Sequence, residues 1–141
     1  MARALELSDE SIKRAEASGN QSFRAVALGS SGIILYSLGD FERSADQVKR
    51  GLALYGPEAQ QEMAQLFGLD VAVLSTAYGG RSQWIRGYPD QALEMVERSV
   101  TLARERGWPF NQATALSTGA GYARLLRGEV RETRQCIMET I

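Results

Sequence analysis

The sequence contains no histidine and only one cysteine. Without histidine, the chain lacks the commonest general base, the commonest zinc ligand and the usual base of a catalytic triad. The single thiol, Cys136, excludes a disulfide within the chain and fits a reducing cytoplasm, which we expect as the location. These shortages favour a protein that catalyses nothing itself and that holds no metal and no cofactor.

Long apolar segments and an excess of charge are also missing. The longest apolar runs, such as residues 33–36, are far shorter than the about 20 residues that cross a bilayer. Acidic residues at 6, 9 and 10 interrupt any apolar region of a secretory signal. The net charge is −1, and the arginines of residues 98–106 alternate with glutamates, which indicates a solvated helix face with ion pairs. We therefore expect no membrane and no nucleic acid as a partner.

Proline is scarce, and each of its three positions, 57, 89 and 109, suits the start of a helix. Apolar residues recur at i, i+3 and i+4 between these points, and no short alternating run indicates a strand. The fold class is therefore all-α, with helices expected near residues 2–17, 21–38, 41–55, 58–67, 70–86, 89–106, 110–127 and 129–140. Glycines at 19, 39, 56, 68, 87, 107 and 128 are predicted C-terminal caps. Asp40 and Asp70 are predicted N-caps.

The short connections force consecutive helices into antiparallel neighbours. We predict a single domain over residues 1–141, in which three hairpins span about 21–55, 70–106 and 110–140. A capping helix at 2–17 and an extra short helix at 58–67 complete it. Met1 leads straight into a helix and Ile141 ends one without a cap, so we expect a fragment of a longer protein.

A pair of glycines seven residues apart organises each predicted hairpin. The pairs are Gly32 with Gly39, Gly80 with Gly87, and Gly121 with Gly128. Five residues after the second glycine stands a small residue, namely Ser44, Ala92 or Thr133. The first glycine lets the partner helix approach, and the second closes the turn. Because glycine inside a helix costs about 1 kcal/mol relative to alanine, its recurrence at one register indicates a packing role.

This register resembles the tetratricopeptide (TPR) family, whose hairpins carry Gly, then Gly-Asp-Tyr, then Ala at the same offsets. The resemblance covers roughly residues 21–140 and implies antiparallel hairpins stacked as a right-handed solenoid. The spacings from Gly32 to Gly80 and on to Gly121 exceed the family's roughly 34 residues. Residues 57–70 account for additional length in the first spacing, as one extra short helix. An irregular helical bundle is the alternative fold.

A narrower resemblance lies in residues 51–57, 66–70 and 84–93. They are similar to the C-terminal helical region of large bacterial signalling ATPases, which carry a class III adenylate or guanylate cyclase, a kinase or a DNA-binding domain. The resemblance implies a non-catalytic regulatory part of such a protein. Members usually have histidines between the positions of Tyr55 and Leu66, where this chain has none.

Other candidate chemistry is better explained by structure. The glycine-rich residues 29–32 and 79–82 lack the Gly-Lys-Ser/Thr of a phosphate-binding loop. The carboxylates at 129 and 132 lie at a predicted helix start, where they favour the positive end of the helix dipole. Cys136 is predicted to be a buried structural thiol, and nearby arginines leave a reactive thiol as the alternative.

The TPR resemblance also implies a binding surface. The family's concave groove is lined by fixed positions on the first helix of each hairpin. When the glycines are aligned with those of the family, these groove positions fall on six residues that would share one apolar surface. They are Tyr36, Arg81, Trp84, Tyr122, Ile33 and Ile85. Trp, Tyr and Arg dominate binding hot spots. Packing of the same side chains into the core between the repeats is the alternative.

The predicted function is a non-catalytic protein–protein interaction scaffold in a larger signalling protein. Its groove would bind a helix or an extended peptide from a partner protein or from another domain of the parent chain. One alternative is a sensor of a small metabolite that controls a cyclase or ATPase output. Another is a structural spacer or a homodimer, because the end faces of a repeat array expose apolar side chains.

Overall fold

The regular structure of the chain is helical. The computed structural model describes residues 2–140, apart from the side chains of Ala2 and of residues 63–67. Met1 and Ile141, on which the predicted cut ends depend, lie outside the described residues. The elements are α1 (Ala2–Ala17), α2 (Gln21–Ser37), α3 (Phe41–Leu54), α4 (Pro57–Phe67), α5 (Val71–Ile85), α6 (Pro89–Arg106), α7 (Pro109–Thr114), a π-helical segment (Ala115–Gly121), α8 (Tyr122–Leu126) and α9 (Val130–Met138). No strand occurs within residues 2–140, and the all-α prediction is confirmed.

The predicted helix starts are confirmed. Proline is the first residue of α4, α6 and α7. The carboxylate of Asp40 accepts a hydrogen bond of 3.2 Å from the backbone N–H of Arg43, and so caps α3. The carboxylate of Asp70 accepts one of 2.8 Å from the backbone N–H of Ala72, and so caps α5. Each aspartate satisfies an N–H group that has no partner inside its helix.

The predicted helix ends are confirmed except at Gly56. Left-handed backbone occurs at Gly19, Gly39, Gly68, Gly87, Gly107 and Gly128. Gly56 has no such conformation. There Tyr55 already leaves the helix in an extended conformation, with φ −81° and ψ 104°, so no left-handed residue is needed to end α3.

The chain folds back on itself in three hairpins that contact one another in order. Helix α2 pairs with α3, α5 pairs with α6, and the π segment with α8 pairs with α9. Helix α5 packs against both α2 and α3, and the π segment packs against both α5 and α6. Helices α1 and α4 pack against α2. The first helices of the three hairpins therefore lie side by side.

Glycine brings the two helices of the first two hairpins into direct contact. A Cβ atom on Gly32 would lie 2.5 Å from Cγ2 of Val48, and one on Gly80 would lie 2.7 Å from Cγ1 of Val96. A Cβ on Gly80 would also lie 3.0 Å from the carbonyl oxygen of Ala92. These distances leave no room for a methyl group, so the predicted packing role is confirmed in both hairpins.

The third hairpin differs from the prediction. We expected one α-helix over residues 110–127, but residues 115–121 form π-helix. A Cβ on Gly121 would lie 2.8 Å from the carbonyl oxygen of Leu116, five residues earlier, and an ordinary 3.7 Å from Cβ of Cys136 on α9. Glycine at 121 therefore avoids a close contact inside the π segment itself, and its predicted role against the partner helix is wrong.

The predicted small residues are buried and include a polar link between hairpins. Ser44, Ala92 and Thr133 all lie in the interior. The hydroxyl of Ser44 donates to the carbonyl oxygen of Gly32 at 2.7 Å and lies 2.8 Å from the hydroxyl of Ser82.

Among the helices of residues 2–140, none combines the length and the apolar composition that a bilayer crossing requires.

Candidate interaction surface

Three tyrosines and one arginine meet where the first helices of the hairpins lie side by side. Tyr36 comes from the end of α2, Tyr78 and Arg81 from α5, and Tyr122 from the start of α8. We call these four residues the aromatic–arginine cluster. All four side chains are half-buried, so the cluster is neither closed core nor fully solvated surface.

The guanidinium of Arg81 lies among the aromatic rings. Its Cζ atom is 3.8 Å from the ring centroid of Tyr122, 5.4 Å from that of Tyr78 and 5.8 Å from that of Tyr36. The rings of Tyr36 and Tyr78 meet edge to face at 5.1 Å. Each cation–π contact in such a half-exposed place contributes about 0.5–1 kcal/mol, so together they hold the arginine in one orientation.

Local backbone features bring these side chains together. Tyr78 and Arg81 are three residues apart, so they share one face of α5. A Cβ on Gly79 would lie 2.9 Å from Cγ1 of Val48, which shows how closely α5 approaches the first hairpin. The π segment turns α8 relative to an uninterrupted α-helix, and Tyr122 is the first residue after it. Its wider turn therefore helps to set the direction of Tyr122.

Burial acts on the phenol of Tyr36. Desolvation raises its pKa above the usual value, while the positive charge of Arg81 opposes the shift. The hydroxyl of Tyr36 is therefore protonated at neutral pH, and it is a hydrogen-bond donor there.

The structure brings together three of the six predicted groove residues. Tyr36, Arg81 and Tyr122 are in the cluster. Ile33 lies one turn before Tyr36 and is half-buried. Trp84 lies one turn after Arg81 and is also half-buried, while its neighbour Ile85 is 45% exposed. That these residues bind a partner stays a prediction.

Tyr78 belongs to the cluster and was missed from the sequence. Its signal was its spacing of three residues from Arg81 on the same helix. The glycine register of the family does not include this position, and so the resemblance gave no reason to select it.

A second polar group joins four elements at the opposite end of α5. The carboxylate of Asp70 is 1% exposed and accepts hydrogen bonds from the hydroxyl of Tyr55 at 2.7 Å and from Nε of Arg106 at 3.1 Å. The backbone N–H of Asp70 donates to Oδ1 of Asn111 at 3.1 Å. We call these four residues the Asp70 network. It links the ends of α3 and α6 to the starts of α5 and α7.

Burial and the Asp70 carboxylate act on Tyr55. Desolvation, followed by the hydrogen bond to Asp70 and its negative charge, raises the pKa of the Tyr55 phenol, and Arg106 opposes the shift. Asn111 is itself buried, and its Nδ2 atom has no acceptor within the described residues. The network carries no arrangement of acid, base and nucleophile, and it joins helices instead.

The predicted ion pairs along α6 are wrong. Within the described residues, Arg104 pairs with Glu139 near the end of α9 at 3.5 Å, and Arg106 pairs with Asp70. The charges on this helix therefore connect it to its neighbours rather than to its own next turn. Arg106 pairs with the buried carboxylate of Asp70 instead of with a glutamate on the solvated face of α6. The sequence alone does not show that Asp70 is buried.

The remaining features lie away from the cluster. Cys136 is buried against Leu116 and Ala120, which confirms the predicted burial of the thiol. A cleft of about 500 Å³ separates α1 from α2, and one of about 690 Å³ separates α3 from α6. The last two helices expose large apolar side chains, namely Leu125, Leu126, Val130, Ile137 and Met138.

Comparison of the chain with protein-family models, with curated proteins and with solved structures gives no match.

Proposed function

We propose that this chain is a non-catalytic protein-interaction scaffold, built as a TPR-like right-handed solenoid, whose aromatic–arginine cluster binds a segment of a partner protein. One observation carries the proposal. Tyr36 and Tyr122 are 86 residues apart in the sequence, yet both rings contact the guanidinium of Arg81. The three residues lie on the first helices of three successive hairpins, which are neighbours in the fold. The pattern of contacts supports the solenoid, because each hairpin packs on the next in chain order.

The composition of the cluster suits protein binding. Tyrosine and arginine are the residue types that carry most of the energy in interfaces, since they bury a large area and also donate hydrogen bonds. Tyrosine loses little conformational freedom when it is covered, because it has only two side-chain torsions. Trp84 and Ile85 continue the surface along α5 and add apolar area that a partner can cover.

The proposed setting is a cytoplasmic signalling protein of which this chain is a regulatory part. Its partner would be a separate protein or another domain of the parent chain. The support is the similarity of residues 51–57, 66–70 and 84–93 to the helical region of bacterial cyclase- and ATPase-containing regulators.

The proposal is tested by selecting binding peptides from a random phage-displayed library against the immobilised chain. Selected peptides are then titrated against the wild type, Arg81→Ala and Trp84→Ala. We expect each substitution to weaken binding by about tenfold or more, because hot-spot residues lose more than about 1 kcal/mol on truncation. Arg98→Ala is the matched control, since Arg98 is an exposed arginine on α6 away from the cluster.

Two results would overturn the proposal. One is the failure of any peptide to be enriched over a blank support. The other is equal binding by the wild type and by both cluster variants, with circular dichroism showing that all of them are folded.

Self-association is a second proposed role, favoured by the exposed apolar side chains of α8 and α9. The partner there would be a second copy of the chain. A light-scattering mass equal to the 15.5 kDa of one chain at high micromolar concentration would contradict it.

A further inference from the structure

Arg81 differs from the other arginines that have no carboxylate partner within the described residues. Those others are exposed, and they are Arg86, Arg98, Arg131 and Arg134. Arg81 is half-buried, and none of the ion pairs of the described residues includes it. Its Nε atom is buried without an acceptor. A partly desolvated cation without a counter-ion is costly, and cation–π contacts offset only part of that cost.

The surroundings of Arg81 are suited to a single negative charge. A guanidinium presents parallel N–H donors that match the two oxygens of a carboxylate. Three tyrosine rings pack around it, with centroids 3.8 to 5.8 Å from its Cζ atom, and they hold its planar fork in one orientation. Arg81 is the one basic residue of the cluster. A phosphate, which carries close to two negative charges at neutral pH, would leave part of its charge unmatched.

We propose that Arg81 binds the carboxylate of an aspartate or glutamate side chain in the partner protein, with the rings of Tyr36, Tyr78 and Tyr122 holding the guanidinium in place. This rests on the proposed function and names the chemistry of its partner. The charge of Arg81 selects an acidic segment, and the half-buried aromatic rings next to it cover the apolar part of that segment.

A protein segment fits this surface better than a free small acid does. Trp84 is half-buried and Ile85 is 45% exposed on the next turn of α5, so apolar area continues beyond the arginine. A small carboxylic acid would leave that area uncovered. Small-molecule sites enclose most of their ligand in a cleft, whereas the clefts of about 690, 550 and 500 Å³ among the described residues include none of the four residues of the aromatic–arginine cluster.

Two matched peptide arrays test the inference. Both carry peptides of about twelve residues with the same aromatic and aliphatic content. One array has Asp and Glu at varied positions, and the other has Asn and Gln in their place. All peptides are attached to the support through their C-terminus, which removes the free terminal carboxylate. The arrays are probed with labelled wild-type chain, and the best peptides are then titrated in solution with amidated ends.

We expect binding to the acidic array and little to the amide array. Arg81→Ala should weaken the best acidic peptides about thirtyfold, as expected of a hot spot. Arg81→Lys keeps the charge but loses the planar fork, so we expect an intermediate loss. It also serves as the second variant if Arg81→Ala does not fold. Arg98→Ala should bind as the wild type does.

The outcomes separate this inference from the proposed function. Equal binding to both arrays, with loss in Arg81→Ala, would overturn the carboxylate and leave the scaffold in place. Binding to neither array, together with an unsuccessful phage selection, would overturn both. Thermal stabilisation of the chain by free glutarate or benzoate, lost in Arg81→Ala and without peptide binding, would show a small acid to be the ligand and would overturn the protein partner.

Discussion

The first two hairpins and the third are held together by different physical means. In the first two, Gly32 and Gly80 bring the backbone of one helix against the side chains of the next, with no space for a methyl group. In the third, Gly121 makes only an ordinary contact with α9, and the helix widens into a π segment. The π segment packs on the second hairpin through apolar contacts of Ala115 with Val73 and Ala103, and the Asp70 network adds a hydrogen bond from Asp70 to Asn111 at the start of α7.

The difference shows that one glycine register can serve two kinds of packing. Where the register makes the helices touch, shape complementarity fixes their separation. Where it does not, apolar contacts of the π segment hold the helices together and buried hydrogen bonds help to fix the helix ends, and each of these bonds is costly to leave unmade. Substitutions at the two kinds of contact should therefore have different sizes and, at one position, a different sign.

Asp70→Ala should have the largest effect on stability. It removes the cap of α5 and leaves the half-buried side chains of Arg106 and Tyr55 without their acceptor. A cap contributes about 1 kcal/mol and a hydrogen bond to a charged group about 1.5–3 kcal/mol, so we expect a loss of about 3 kcal/mol or more. The matched control is Asp40→Ala, which removes an exposed N-cap of α3 and should cost about 1 kcal/mol. Urea unfolding followed by circular dichroism measures both. Similar losses in the two variants would show that the network adds nothing to the cap.

Gly80→Ala should have the next largest effect. The new Cβ would lie 2.7 Å from Cγ1 of Val96, and overpacking of this kind costs about 1–3 kcal/mol. Gly119→Ala is the contrasting variant in the third hairpin. Its Cβ would lie 3.4 Å from that of Ala77, which is ordinary contact, so the better helix propensity of alanine should leave stability unchanged or raise it by up to about 1 kcal/mol. Thermal unfolding in which Gly80→Ala is the more stable of the two would contradict the comparison.

The smallest effect concerns the response to alkali. Because burial and Asp70 raise the pKa of Tyr55 in the folded state, its contribution to stability is complete below the unfolded pKa of about 10 and is lost as pH rises above it. Tyr55→Phe should be less stable at neutral pH by about 1 kcal/mol, for want of the hydrogen bond, and should lose less stability between about pH 9 and pH 11.

The control for this measurement is Tyr88→Phe, because Tyr88 is a tyrosine residue that is 45% exposed. Its free energy of unfolding should follow the wild-type pH dependence. If the free energy of unfolding of Tyr55→Phe falls with pH as steeply as that of the wild type, then the pKa of Tyr55 does not differ between the folded and the unfolded chain.

Much of the local structure is readable from the sequence. Proline at 57, 89 and 109 marks helix starts, and Asp40 and Asp70 cap the helices that follow them, since each acts within a few residues of its own position. The wrong assignments are those in which distant residues compete. Gly121 looks like Gly32 and Gly80 in the sequence, but its surroundings differ because the helix around it is π.

The same distinction applies to the candidate site. The glycine register selected Tyr36, Arg81 and Tyr122, which do meet, but it passed over Tyr78, which lies in the same cluster. Helix spacing indicates which face of α5 carries both Tyr78 and Arg81. It does not indicate that the ends of α2 and α8 reach that face.

The sequence by itself determined the helical class, the starts of the helices and nearly all of their ends, because propensity, capping and apolar periodicity are local properties of the chain. Only the tertiary structure decided which charges are paired. The buried carboxylate of Asp70 pairs with the half-buried Arg106 of another helix, whereas Arg81 is held among tyrosine rings with no carboxylate beside it in the described residues. The cost of an unpaired charge depends on its desolvation, and desolvation is fixed only when helices far apart in sequence pack together.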